Sequence, residues 1–477
     1  MPAHSLSRVS KAIFLVLLVA CLALLVATAL LTPVSNDAGA YLTQADGILA
    51  GRLPYRDTFD HKTPGTYVLF AAVLAATERS LAAVQLVQAL GVILTAALTA
   101  LLAWRLWSAL AGALAGLLLL YGGTAYAGTH LTTEAWVGLC TAGALLVLLR
   151  RPNVRLTSTD WLATGGLVGL SALFKQTGLV TLAAFALWAW LTAPGWKVVI
   201  HRWLWLLAGC ALPLALTAGL FASQSALPDL WRDTVWINAT AYPRQSLAVL
   251  VRGNLINLRA FPVLAVGLFT GVLFHPPSLR RQGPRQAETL LWLTLASGLL
   301  PLLHRSYGHY VLQPLPPAAI LAGAGLASAW ERLASRPRWV RLIALTALAV
   351  LALVDVPRWP GYLTYTKRLV EQQQQAAAAI RSLTAPDEPI LAVSAAPQFY
   401  FLSHRPPATR WIYLYSVNYS QEREATLIEL IASQAIKAIV VDDGNPVPWH
   451  GRLRAAVEAA CSLQQRVGDD LSVYRCP

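Results

Sequence analysis

The chain is expected to be a mostly α-helical, polytopic membrane protein with a small α/β domain at its C-terminus. Three observations predict this. Of 477 residues 56% are hydrophobic and only 13% are charged, about half the charged share of a soluble domain, with a mean hydropathy of +0.53. Eleven apolar runs have about the length of a bilayer crossing, roughly 17 to 25 residues, the fifth and sixth being short. From about residue 357 the chain turns polar and charge-balanced, with 12 basic and 11 acidic residues. A soluble globular chain, a disordered chain, collagen and a disulfide framework are all excluded, the last because three of five cysteines lie inside apolar runs.

In chain order the runs lie near 12-32, 81-104, 107-123, 131-149, 159-174, 177-193, 203-222, 258-274, 287-303, 311-330 and 340-356. The first has an apolar core longer than that of a signal peptide, so it is expected to remain as an uncleaved anchor. Basic residues gather in alternate loops: Arg8 and Lys11, Arg105, Arg150/Arg151/Arg155, Lys197 and Arg202, Arg280/Arg281/Arg285, and Arg332/Arg336/Arg338/Arg341. By the positive-inside rule these loops are cytoplasmic. These fifteen basic residues against three acidic ones carry +12 of the net +14. The positive charge is therefore a topology signal, and a nucleic-acid partner is not expected.

Parity constrains the first loop. Residue 33 outside and Arg105 inside permit an odd number of crossings between them, which the run at 81-104 supplies. The apolar stretch 66-77 is then surplus, and it is expected to lie along the outer interface. Eleven crossings divide the chain into a transmembrane domain over 1-356 and an outer-face α/β domain over 357-477. The tail is expected to hold helices at 365-383, 422-434 and 452-463 and strands at 389-393 and 438-441. Cys461 and Cys476 are expected either as a disulfide, which exported compartments favour, or as two buried thiols.

Ionisable groups at a membrane edge are costly and are candidates for function. Here they collect on the outer side. The first outer loop runs Ser35-Asn36-Asp37 and continues through Tyr55, Asp60, His61, Lys62 and Pro64. Glu134 begins a span, Lys175 lies in a tight outer turn, and Arg305, Tyr307, His309 and Tyr310 lie between two further spans. Arg52, Arg56 and Asp57 read more simply as a solvated loop face. Glu134 and Lys175 point to function, since lone charges at span ends usually snorkel to water.

These residues stand in an order that resembles the GT-C glycosyltransferases, most nearly the protein O-mannosyltransferase and aminoarabinose transferase group, over about residues 10 to 330. The matching features are one anchor, an early outer Asp37, the Gly51-x-x-Pro54-Tyr55 turn, the Asp60-x-Lys62-x-Pro64 stretch, a surface helix and Arg305-x-Tyr307-x-His309-Tyr310. The resemblance implies a GT-C-like bundle with interfacial helices in the first outer loop. It also implies an inner- or plasma-membrane enzyme that takes a sugar from a polyprenyl-phosphate carrier to a glycan, lipid or protein acceptor outside. Asp37 matches the catalytic carboxylate, with Ala38 where relatives often carry a second acid. Lys62 matches the lysine that meets the lipid phosphate, although Lys62-Thr63-Pro64 replaces Lys-Pro-Pro. Glu134 and Lys175 match an acid at a span mouth and a lysine after a Gly-rich helix.

The expected assignment is therefore Asp37, Asp60 and Glu134 as catalytic, with Asp37 as the general base of an inverting transfer. Lys62, Lys175, Arg305, Tyr307 and His309 are expected to bind the donor phosphate, and Tyr55, His61 and Tyr310 the substrates. A glycosyl phosphate already has an anionic leaving group, so cations matter more than a general acid. No cofactor is expected, and a divalent metal is left open. The alternative is a multi-span transporter or lipid-carrier flippase, which should show internal repeats and midplane polar residues.

Overall fold

The computed structural model describes residues 8–126, 128, 130–150, 156–241, 244–276, 286–353, 359–394, 396–444 and 447–477. The expected inner-loop residues Arg151, Arg155, Arg280, Arg281 and Arg285 lie outside these. The contacts divide the chain into two units: one of residues 1–30, 85–217 and 244–360, the other of residues 31–84, 218–243 and 361–477. This division differs from a single cut at 356/357, because the second unit joins the tail to the first outer loop and to a further loop segment.

The helices of the first part of the chain are α1 (Arg8–Leu31), α2 (Asn36–Leu49), α3 (Gly65–Ala76), α4 (Leu81–Leu106), α5 (Ala109–Ala125), α6 (Thr133–Leu149), α7 (Ser158–Phe174), α8 (Val180–Leu191) and α9 (Trp196–Ser223). Short α10 (Leu227–Trp231) and α11 (Ile237–Thr240) flank a π turn at Arg232–Trp236, and α12 (Leu247–Arg259) precedes α13 (Pro262–Phe274). Then come α14 (Gln286–Leu299), α15 (Leu315–Ala334) and α16 (Arg338–Leu353).

The eleven expected runs fall on helices over their described residues, but the count of eleven spans is not confirmed by the helices' length and composition. Among the described residues four helices are long and apolar enough to cross a membrane, five if the bent pair α12 and α13 is one span. Several others are 12 to 17 residues long, about 18 to 26 Å at 1.5 Å per residue. The run at 258-274 is essentially α13, and a 92° bend between α12 and α13 falls at its start. Pro262 at the first turn of α13 fits a helix start rather than a helix interior.

Small residues let the helices of the first unit approach closely. A Cβ on Gly165 would lie 2.0 Å from the Leu206 carbonyl oxygen, and one on Gly169 2.3 Å from that of Cys210, so α7 and α9 meet backbone to backbone. Gly323 of α15 meets Ala111 and Ala115 of α5 in the same way, and Gly267 and Gly271 of α13 meet Ala322 and Leu321. Between lipid-facing helices this packing, rather than hydrophobic burial, drives association.

In the second unit, α2 begins at Ser35, whose hydroxyl accepts the Ala38 amide as an N-cap. The first of the helices expected in the first outer loop is thus α2. The surplus segment is α3, with Tyr67, Phe70, Ala71 and Leu74 buried and Val68 57% exposed, a one-sided pattern. The tail contributes α17 (Trp359–Leu383), β1 (Leu391–Val393), α18 (Gln398–Ser403), α19 (Gln421–Ala432), β2 (Ala438–Asp442), α20 (His450–Ala460), β3 (Ser462–Val467) and β4 (Leu471–Arg475).

The sheet runs β1-β2-β4-β3, with β1 and β2 parallel and the other pairings antiparallel. The expected helix at 452-463 ends at Ala460, and the β3–β4 hairpin was not foreseen. Its exposed Ser-Leu-Gln-Gln-Arg strand lacks the alternation that marks a half-buried strand. Cys461 and Cys476 form a disulfide, which closes this hairpin. At the ends of β1 and β2, His450 bridges Ser394, at φ 73°, to Asp443 at 2.6 Å, and Arg454 holds the other Asp443 oxygen at 2.7 Å.

Candidate active site

Two polar clusters hold the residues singled out from the sequence, one in each unit. In the second unit Asp37 sits in the first turn of α2 with its side chain 54% exposed, and its Oδ1 accepts a 2.6 Å hydrogen bond from Lys62 Nζ. Lys62 is nearly enclosed, at 11% side-chain exposure, and its Nζ stands 5.3 Å from the centroid of the Tyr41 ring. Burial alone would lower the ammonium pKa, but Asp37, then Tyr41 and Asp60, outweigh it and hold Lys62 well above the ordinary lysine value. A fixed cation therefore faces an accessible carboxylate.

The backbone that carries Lys62 is tied down by groups far away in sequence. The Tyr55 and Tyr67 hydroxyls both donate to the Lys62 carbonyl oxygen, at 2.7 and 3.1 Å. Tyr55 has φ 69°, a strained value for a residue with a Cβ, and it is wholly buried. Asp60 is wholly buried too; its Oδ1 accepts from the His61 amide at 2.6 Å and from the Tyr413 hydroxyl at 2.9 Å. His61 Nδ1 lies 3.1 Å from the same hydroxyl, and its carbonyl accepts from Asn238 at 2.7 Å. Arg410 donates to the Tyr55 carbonyl at 2.5 Å and to Asp233 at 2.9 Å. In this resting arrangement Tyr55, Asp60 and His61 hold the loop.

In the first unit Glu134 lies in the first turn of α6, where a carboxylate suits the positive end of the helix dipole. Lys175 caps the end of α7 and its Nζ forms a buried ion pair with Glu134 Oε1. It also stands 3.6 Å from the centroid of the Tyr310 ring, a close cation–π contact. The Thr133 hydroxyl donates to the other Glu134 oxygen at 3.0 Å, and His309 Nε2 is 3.6 Å from Oε1. Tyr307 stacks on His309 with centroids 5.7 Å apart. Arg305, at the head of this segment, is buried. In the loop before α6, burial and then the neighbouring His309 push the His130 pKa down to about 4.

Sequence reasoning placed Glu134, Lys175, Tyr307, His309 and Tyr310 at one membrane face, and the structure brings them together. It missed Tyr413, Arg410, Asp233, Asn238 and Tyr67. None has a local signal in a membrane-protein sequence except Asp233, an acid just before an apolar-aromatic stretch.

Breaking the buried pair in the first unit has a definite cost. Lys175→Ala strands Glu134 as an unpaired buried charge, a loss of about 3 to 5 kcal/mol. The expected result is a clear fall in detergent-solubilised thermal stability, which Glu134→Gln in the same chain partly restores. No restoration would mean that Lys175 acts chiefly through its packing.

The fold can be compared with solved structures. Over 98% of both chains it aligns with ArnT from Cupriavidus metallidurans bound to undecaprenyl phosphate, at a TM-score of 0.66 and 14% sequence identity. The chain has the GT-C fold. An oligosaccharyltransferase from Archaeoglobus fulgidus, tethered to an acceptor peptide, aligns at 0.58 and 14% identity over 96% of this chain and 74% of that one. The arabinofuranosyltransferase AftD from Mycobacteria aligns at 0.54 and 13% identity over all of this chain and 42% of its own.

No family model matches the sequence. Among curated proteins, the Na(+)/H(+) antiporter NhaB of Marinobacter nauticus is 33% identical over 116 residues. That match spans 24% of this chain and 22% of the antiporter, so the chain spans about a fifth of the curated relative it matches. The GT-C fold, by contrast, accounts for almost every residue.

Proposed function

We propose that this chain is an integral-membrane glycosyltransferase that moves a sugar from a polyprenyl-phosphate donor to a hydroxyl acceptor on the outer face of the membrane. The observation that carries the reading is the Asp37–Lys62 pair, an accessible carboxylate against a clamped ammonium, on the first outer loop of a GT-C fold. Undecaprenyl phosphate in the ArnT structure and a dolichol phosphate with the archaeal oligosaccharyltransferase AglB support a lipid phosphate as the leaving group.

Lys62 takes the departing phosphate, where a charge-assisted hydrogen bond stabilises charge that grows in the transition state. Asp37 accepts the proton of the acceptor hydroxyl as that oxygen attacks the anomeric carbon with inversion. The two roles require the resting ion pair to open. Donor phosphate competes for Lys62, and the carboxylate it displaces becomes free to act as base. In the first unit, taken by itself, Lys175, Arg305, Tyr307 and His309 are proposed as donor-phosphate contacts, and Tyr310 as a substrate contact.

Purified protein given radiolabelled polyprenyl-phosphate sugar should release free polyprenyl phosphate in step with labelled acceptor. A proteoliposome cation-flux assay tests the antiporter alternative. Flux without donor consumption would overturn the transferase reading.

The proposed orientation, N-terminus inside and tail outside, has its own test. Gly195 lies in the expected inner loop before α9, exposed and with open space for a Cβ, and Ser416 is exposed in the tail. In intact cells a membrane-impermeant thiol reagent should label Ser416→Cys and should reach Gly195→Cys only after permeabilisation. The reverse pattern would move Asp37 and Lys62 to the cytoplasmic face.

A further inference from the structure

Nothing in the sequence ties the tail to a reaction, yet its loop after α18 reaches the segment that carries Lys62. We propose that Tyr413, from the C-terminal part of the chain, is a positioning residue for Lys62, so that the tail completes the donor-phosphate site. The inference rests on the reading of Lys62 as the phosphate-binding cation.

Three consecutive residues, Asp60, His61 and Lys62, are each pinned by a different partner. Lys62 is held at its carbonyl by Tyr55 and Tyr67, and His61 at its carbonyl by Asn238. Tyr413 instead meets the side chains of Asp60 and His61. Its hydroxyl donates to Asp60 Oδ1 at 2.9 Å and stands 3.1 Å from His61 Nδ1. With the hydroxyl proton committed to Asp60, the Tyr413 oxygen is left to accept from a protonated His61 Nδ1. One hydroxyl thus joins two adjacent side chains in a fully buried place, where each hydrogen bond counts for more than in water.

The cost of losing it falls on Asp60. A buried carboxylate depends on its hydrogen bonds, and Asp60 Oδ2 has no hydrogen-bond partner among the described residues. Its Oδ1 therefore carries the load, with the His61 amide and Tyr413 as donors. Asp60 also contributes to the field that keeps Lys62 charged. Removing the Tyr413 hydroxyl leaves Asp60 with one donor and frees it to turn. The turn shifts the Lys62 backbone two residues on and the charge balance around Nζ. The ring itself has a separate task, packing edge-on against Phe59 with centroids 5.7 Å apart, and Tyr413→Phe preserves that.

A positioning residue and a core tyrosine differ in one measurable respect: whether the loss depends on Lys62 being present. The test is a double-mutant cycle on the full-length protein in detergent, with Tyr413→Phe, Lys62→Ala and both together. The readouts are undecaprenyl phosphate binding and kcat/KM for transfer. Tyr413→Phe should weaken binding about tenfold when Lys62 is present and less than about twofold when it is absent, a coupling within the usual range for residues in one network. An equal loss in both backgrounds, or no loss in either, overturns the inference.

Lys62→Ala without effect on binding overturns the reading of Lys62 itself, and is read from that single variant. Should Tyr413→Phe fail to fold, Asp60→Asn enters the same cycle. The amide keeps the shape of the carboxylate and accepts the same two donors without its charge, and the same background dependence is expected.

Discussion

Asp37→Asn should abolish transfer while the protein folds normally and still binds lipid phosphate. The amide keeps the shape and can still accept from Lys62, but it cannot take a proton from the acceptor hydroxyl. Loss of a general base costs on the order of a hundred- to ten-thousandfold in rate. The side chain is 54% exposed in the first turn of α2, and Asp60 and Tyr41 remain beside the nearly enclosed Lys62 while the amide still accepts its hydrogen bond, so the fold should tolerate the substitution. Removing the negative charge also removes the group that competes with phosphate for Lys62, so donor binding should hold or tighten. Near-normal turnover would take Asp37 out of the mechanism. A parallel loss of lipid-phosphate binding would make it a structural partner of Lys62 instead.

Lys62→Ala should lower donor affinity and rate together. A charge-assisted hydrogen bond to phosphate is present in the bound donor and strengthens as the phosphate departs, so it contributes to both states. Hydrogen bonds to charged groups contribute about 1.5 to 3 kcal/mol, roughly ten- to hundredfold in affinity. The fold should tolerate the change: the carbonyl of residue 62 still accepts from Tyr55 and Tyr67, and Asp37 is open to water. Titration with undecaprenyl phosphate beside single-turnover transfer separates the effects. A rate loss at unchanged affinity would move Lys62 from holding the donor to acting on the acceptor.

A GT-C fold read from Asp37, Gly51-x-x-Pro54-Tyr55 and Lys62 was legible because the motifs are short and local. The same holds for the helix expected at 66-77, which is α3, and for the strand near 438-441, which is β2. Failures came where a property is not local. Hydropathy starts a run at 258, but the right-angled break just before Pro262, which separates α12 from α13, depends on what surrounds the two helices. The hairpin of β3 and β4 was hidden because β3 is exposed along most of its length and so carries no apolar alternation.

Composition and charge by themselves determined that this chain lives in a membrane, which loops carry the topology signal, and that the tail is a different material. These are sums over residues, and they survive any arrangement of the parts. Only the tertiary structure decided that Lys62 faces Asp37, 25 residues earlier in the chain, and that Cys461 meets Cys476. It also decided that Asp60 and His61 meet the hydroxyl of Tyr413 about 350 residues later. Such pairings follow from burial: once Asp60 is withdrawn from water it must find donors, and the sequence nearby offers one backbone amide. The second donor comes from whichever segment the fold brings alongside, and a single hydroxyl in a polar tail carries no mark of that before the chain has folded.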